Sequence, residues 1–140
     1  MEKYRFLHHT ADAKFQAFGQ TLEEAFSHAA LAITSLMWDP AKIRKKMTIP
    51  VEVKGKDLQQ LLVNFLEEIL YLLDTKGFLL GYVEGLSIQK IKGAFSLRAS
   101  YKGDKYSSLY EIYGNVKAIT YNEMVIGKKA PFMVQVVADI

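Results

Sequence analysis

Leu70-Tyr71-Leu72-Leu73-Asp74-Thr75-Lys76-Gly77-Phe78-Leu79-Leu80-Gly81-Tyr82-Val83 is the stretch on which the fold turns. Up to Leu73 the apolar residues keep the three-and-four spacing of a helix, and from Phe78 onward the period changes to two. Gly77, at the change, is placed to close the helix in the left-handed conformation. Upstream, Leu58, Leu61, Leu62, Phe65, Leu66, Ile69, Leu72 and Leu73 form the stripe of a helix over Leu58 to Leu73, capped by Asp57 with Gln60 three residues on. Val63, Leu70 and Tyr71 lie off that stripe, so this helix is expected to be covered on more than one side. Downstream, glycines at 81, 85, 93, 103 and 127 punctuate strands read at Phe78 to Val83, Leu86 to Ile91, Ala94 to Tyr101, Asn115 to Tyr121 and Phe132 to Asp139. A tight hairpin is read at Ile91-Lys92-Gly93-Ala94 and a second turn at Lys102-Gly103-Asp104-Lys105; Tyr106 to Tyr113 carries no assignable pattern.

The first half of the chain repeats the logic. Lys3 to Leu7 and Ala13 to Phe18 read as two short strands flanking His8-His9-Thr10-Ala11-Asp12. Thr21-Leu22-Glu23-Glu24 is a capping box, and the stripe from Leu22 through Ala25, Phe26, Ala29, Ala30, Ile33, Leu36 and Met37 makes a first helix that Asp39-Pro40 ends. Thr48 to Lys54 alternates, and Pro50 within it cannot donate to a ladder, which places that strand at a sheet edge. Strands, helix, strand, helix and then a run of strands is the order of an α+β fold, two helices packed against largely antiparallel sheets. With 140 residues the size fits a single domain, 1–140.

Half of the residues are hydrophobic and about a quarter charged, an ordinary globular balance. The absence of Cys excludes a disulfide framework, a thiolate zinc site and a thiol nucleophile, and fits a cytoplasmic location. Neither a signal-peptide h-region nor an apolar run near the roughly 18 residues of a membrane span is read. The net charge of +3 is concentrated at Lys42-Ile43-Arg44-Lys45-Lys46, a run that suits RNA or an acidic surface, or simply a solvated loop.

Catalytic motifs are sparse. There is no phosphate-cradling Gly-rich loop, and Ser107-Ser108 has neither an elbow nor a base in sequence. His8 and His9 alternate in direction if extended, so they do not share one metal; His28 reads as helix surface. The carboxylates are more informative. The chain ends in Val136-Val137-Ala138-Asp139-Ile140, an apolar run that reads as a strand to the last residue. If that strand lies beside the first, Asp12, Asp139 and the α-carboxylate of Ile140 meet, and three carboxylates together require a cation or a basic partner. Oxygen donors of this kind favour Ca²⁺ or Mg²⁺. Read singly, Asp12 can equally cap a turn and Asp139 be an exposed strand end.

The order of His9-Thr10-Ala11-Asp12, Gly19-x-Thr21-Leu22-Glu23-Glu24-Ala25-Phe26, Asp57-Leu58-x-x-Leu61-Leu62, Leu70-Tyr71-Leu72-Leu73-Asp74, Val116-Lys117-Ala118-Ile119-Thr120-Tyr121 and the terminal Asp139-Ile140 resembles the archease family, over nearly the whole chain. Proteins of that family accompany RtcB-type RNA ligases in tRNA splicing. The resemblance implies a non-catalytic activator that promotes ligase guanylylation and multiple turnover, with RNA reached through the ligase. It also implies a bound divalent cation, described as calcium, held at the positions that are Asp12, Asp139 and Ile140 here. His9 and Lys117 are the candidate partner contacts. The chain departs from the pattern at His8, where an acidic residue is common, at Ala13-Lys14, where Ile-Gly often follows, and at Asn122, where a His often stands. Lys14 would partly neutralise an acidic site. Two other classes remain open on the residues: a general RNA-binding module or RNA chaperone using Lys42 to Lys46, and a metal-dependent hydrolase using His9 as base.

Overall fold

The two helices begin where the capping residues put them. In α1 (Leu22–Ser35) the Thr21 hydroxyl accepts the Glu24 backbone N–H at 3.1 Å, while the Glu24 carboxylate accepts the N–H of Gln20, one residue before the cap, at 2.8 Å. α2 (Leu58–Lys76) repeats the device: Asp57 accepts the Gln60 N–H and the Gln60 side chain accepts the Lys56 N–H, both at 2.8 Å. One orphan donor at each N-terminus and the N–H just before each cap are thereby satisfied. Gly77, at φ 63°, closes α2 in the left-handed region, and its N–H bonds back to the Leu73 carbonyl at 2.9 Å. These features come from a computed structural model that describes all of residues 1–140.

Seven strands complete the chain: β1 (Tyr4–Leu7), β2 (Ala13–Gly19), β3 (Met47–Gly55), β4 (Phe78–Ile91), β5 (Ala94–Lys105), β6 (Ala118–Ile126) and β7 (Phe132–Asp139). They form a four-stranded sheet in the order β1-β2-β7-β6 and a three-stranded sheet in the order β3-β5-β4, with every pairing antiparallel. β3 is an edge strand, as Pro50 requires. Each helix packs against strands of both sheets, and one continuous cluster of 32 buried residues joins all these layers. α2 therefore hides Val63 as well as its main stripe, and only Tyr71 of the three residues off that stripe stands out in solvent.

Several boundaries differ from the sequence reading, and glycine accounts for most of them. Phe78–Ile91 is one strand, because Gly85 at φ 65° makes a bulge between Glu84 and Ser87 instead of ending the ladder. Gly103 is not a turn: β5 runs on through Lys105, and a Cβ at 103 would stand 1.9 Å from the Leu79 carbonyl oxygen. The residue is glycine because β4 passes against it. β6 starts at Ala118, later than Asn115, and continues past Tyr121 to Ile126 through a break in register between Thr120 and Val125. Helix α1 ends at Ser35, after which Met37 and Trp38 donate to the Thr34 carbonyl and the Trp38 indole is buried.

The final strand also has a different neighbour from the one expected. β7 pairs with β2 rather than β1, in a register that sets Ala13 opposite Ala138. Asp12 comes just before Ala13 and Asp139 just after Ala138, so both leave the β2–β7 ladder at the same end of the sheet.

Candidate functional site: the end of the four-stranded sheet

Four backbone segments converge at this end. The β1–β2 connection supplies His9 and Asp12, β2 supplies Lys14, β7 ends in Asp139 and Ile140, and β6 contributes Glu123 from across β7. The β6 irregularity is what brings Glu123 into place. Residues 121–124 leave the ladder, Glu123 adopts φ 52°, and its carbonyl accepts the Gln135 side-chain amide at 2.7 Å. Thr120 anchors the near side of the bulge by donating its hydroxyl to the Val137 carbonyl at 2.8 Å. A bulge re-aims a side chain that a regular strand would point elsewhere.

Glu123 then holds two basic side chains at once. One carboxylate oxygen accepts Lys14 Nζ at 2.9 Å and the other faces His9 Nε2 at 2.9 Å, while His9 Nδ1 is paired with Asp12. The two carboxylates favour the charged form of the His9 imidazole and raise its pKa, Glu123 contributing most. Reciprocally, Lys14 first and His9 second hold the Glu123 carboxyl below its usual range. Beneath them Val137, paired with Lys14 on one side and Thr120 on the other, is 1% exposed although it lies on the sheet face away from the main core. The polar network thus caps a small apolar floor.

The other anticipated residues are placed as follows. Asp139 and Ile140 are exposed; the Asp139 carbonyl accepts the Lys117 backbone N–H at 2.7 Å, and Asp139 pairs in register with Ala118. Lys117 lies just before β6, not within it, with its side chain in solvent. His8 is exposed, His9 half-buried, and Asn122 exposed on the bulge. His28 is not a free surface residue: Nδ1 bonds to the Phe18 carbonyl at 2.6 Å, tying α1 to the end of β2.

Comparison with known proteins bears on the whole chain. Residues 4–140 match the Archease protein family (MTH1598/TM1083). The chain belongs to the archease family. It is similar to the protein archease of Pyrococcus furiosus, 40% identical with all of both chains covered, and to that of Methanosarcina mazei, 36% identical over 99% of this chain and 97% of the relative. The solution structure of Methanobacterium thermoautotrophicum protein 1598 superposes with a TM-score of 0.84 at 29% identity, covering 100% of both chains. A crystal structure of an archease from Thermotoga maritima, described as a possible chaperone, shares the fold with a TM-score of 0.59 at 14% identity, covering 96% of this chain and 94% of that one.

In this archease no three His, Asp or Glu side chains are grouped as metal ligands. Asp12 is already paired with His9, and Glu123 with Lys14 and His9. A cation set is complete only when the α-carboxylate of Ile140 is the third source of oxygen beside Asp12 and Asp139. Those groups match a hard cation in donor type, and the Asp12 carboxylate would have to exchange its imidazole partner for the ion. Glu123, the residue that the sequence did not single out, had one signal: it is the acidic residue in a Tyr121-Asn122-Glu123-Met124 stretch that breaks the alternation of a strand. No helix of the chain is long and apolar enough to cross a membrane.

Proposed function

We propose that this protein is a non-catalytic activator of an RtcB-type RNA ligase in tRNA splicing, promoting guanylylation of the ligase and its repeated turnover in the cytoplasm. The single observation that supports the reading is the β2–β7 register, which pairs Ala13 with Ala138 and so runs the flanking positions 12 and 139 out at the same end of the sheet, in a chain of the archease family. Asp12, Asp139 and the α-carboxylate of Ile140 are the groups that would hold a calcium ion. Bound there, the ion supplies positive charge at the junction of the strand ends. The chain's own residues do the rest. Glu123 keeps Lys14 and His9 oriented, and Val137 beneath them gives the network a rigid floor. His9 and Lys117 flank the acidic groups as contacts for the ligase. Removal of Asp12 also leaves His9 with Glu123 alone.

The test is ligase turnover and guanylylation with and without this protein, and with Asp12→Ala. No gain from the wild type rejects the function; full gain from the variant rejects the site. A phosphodiester or phosphomonoester hydrolysis assay on the protein alone separates this reading from a hydrolase using His9.

A further inference from the structure

The run Lys42-Ile43-Arg44-Lys45-Lys46 takes no part in the site described above, and the structure gives it company. Lys42, Arg44, Lys45 and Lys46 are exposed, and none of them forms an ion pair. Only Ile43 turns inward, where it packs beside Gly81. The segment from Tyr106 to Gly114, which has no regular structure, is bound down beside this run. The Tyr110 hydroxyl accepts the Arg44 backbone N–H at 3.3 Å and donates to Asp104 at 2.6 Å; Tyr113 donates through its hydroxyl to the Ser35 carbonyl at 2.7 Å and through its N–H to that of Met37 at 2.9 Å. With the backbone fixed in this way, the segment shows large apolar and aromatic surface to solvent: Leu109 is 70% exposed, Tyr113 56% and Tyr106 53%. Tyr82, also exposed, stands by the basic run with Lys45 Nζ 4.4 Å from its ring centre. Between the run and the segment lies a groove of about 320 Å³, at the lower end of volumes that admit a ligand-sized group.

We propose that this groove and the basic run beside it are a binding surface for single-stranded RNA. Unpaired cations meet phosphates, and half-exposed tyrosine rings held on a fixed backbone offer π-faces for bases. An acidic peptide would compete for the cations, and the polyglutamate arm of the experiment below reads that competition. Duplex nucleic acid is a poor match, since irregular segments, not a helix or a two-stranded ribbon, form the surface. Asp39 and Glu111 on the groove wall disfavour phosphate inside it, so the backbone of the strand tracks along the lysines and its bases turn toward the tyrosines. Tyr113 and Lys117 are four residues apart and Lys117 is bonded to Asp139, so about 14 Å of chain at most separates Tyr113 from that contact. The inference stands apart from ligase activation, because it concerns RNA held by this protein alone.

The experiment is fluorescence anisotropy of a labelled twelve-nucleotide oligouridine titrated with the full chain at 50 and 200 mM salt. With four phosphate contacts the affinity falls roughly fifty-fold between these salts, from a log–log slope of about −0.7 per contact. Lys42, Arg44, Lys45 and Lys46 all changed to Gln flattens that dependence and weakens binding at 50 mM; Tyr106→Ala and Tyr113→Ala each weaken it about five-fold or more at either salt. Changing Lys128 and Lys129 to Gln leaves it within two-fold. Circular dichroism confirms that each variant is folded. No binding at tens of micromolar protein, binding unmoved by the four Gln substitutions, or polyglutamate competing as well as oligouridine with no effect of either tyrosine would each overturn the proposal.

Discussion

Replacing Trp38 by Phe tests how the segment after α1 is held. Trp38 is fully buried, and its indole N–H donates to the Leu80 carbonyl at 2.9 Å, beside the register shift that Gly81 introduces into β4. Phenylalanine keeps an aromatic ring in the space but removes the donor, leaving a buried carbonyl without this partner at a loss of about 1–3 kcal/mol. The smaller ring also leaves a void of roughly 40 Å³, worth about 1 kcal/mol at ~24 cal/mol per Å³. The sum is about 2–4 kcal/mol. For a chain of 140 residues this corresponds to a fall in Tm of roughly 10 °C, followed by far-UV circular dichroism because Trp38 is the only tryptophan and its fluorescence is lost with it. A loss below about 1 kcal/mol would mean that the indole bond and the fit around it do not hold β4 against the α1 end, and the reasoning would fail.

Three further outcomes follow from the structure. Calcium at about a hundred times its dissociation constant should stabilise the wild type by about 2.7 kcal/mol, seen as a Tm rise that a chelator reverses. Asp12→Ala and Asp139→Ala should each abolish that rise, and a wild type indifferent to calcium would count against the cation. Gly103→Ala places a methyl against the Leu79 carbonyl, a backbone atom that cannot swing away, so urea unfolding should show a loss of about 1–3 kcal/mol or more; a neutral effect would refute the close approach of β4 and β5. The hydrogen bond from Tyr110 holds the Asp104 carboxyl below its usual range, so its stabilising contribution is present above the ordinary aspartate value and lost as pH falls through the depressed one. Tyr110→Phe should therefore raise the Asp104 titration midpoint in carboxyl-carbon NMR and start acid unfolding at a higher pH; an unchanged midpoint would refute the pairing.

What the sequence displayed and what it concealed divide along physical lines. Thr21, Glu24, Asp57, Gln60 and Gly77 act within a turn of where they stand, so local chemistry disclosed both helices. Pro50 lacks a donor in any context, and it disclosed an edge. Gly85 and Gly103 were misread because a residue without a side chain permits a turn, a bulge or a close crossing, and only the opposite strand decides which. Asp12 and Asp139 were visible as chemical types at the two ends of the chain, but the pairing of the last strand with β2 instead of β1 was not. Glu123 gave only a weak signal, because its role depends on the chain leaving the β6 ladder, where Val137 and Gln135 of another strand bond to Thr120 and Glu123.

That departure carries conformational strain, and its location is informative. Of the three residues other than glycine at positive φ, Lys92 (51°) belongs to the β4–β5 hairpin, where Gly93 (82°) follows it and a left-handed pair is what a tight turn demands. The other two are Ala11 at 64° and Glu123 at 52°. Neither sits in a two-residue hairpin; one precedes Asp12 and the other is the residue that grips His9 and Lys14. A left-handed conformation at such residues costs on the order of 1–3 kcal/mol and persists only where surrounding contacts over-determine it. At Glu123 those contacts are the Gln135 amide on its carbonyl and two basic side chains on its carboxylate. Substituting Glu123 by Gly would relieve the backbone while deleting the grip, and substituting it by Gln would keep the backbone strained while weakening the grip. If the grip of Glu123 positions His9 and Lys14, both variants lose ligase activation. If the grip is incidental to the bulge, the Gly variant retains activation.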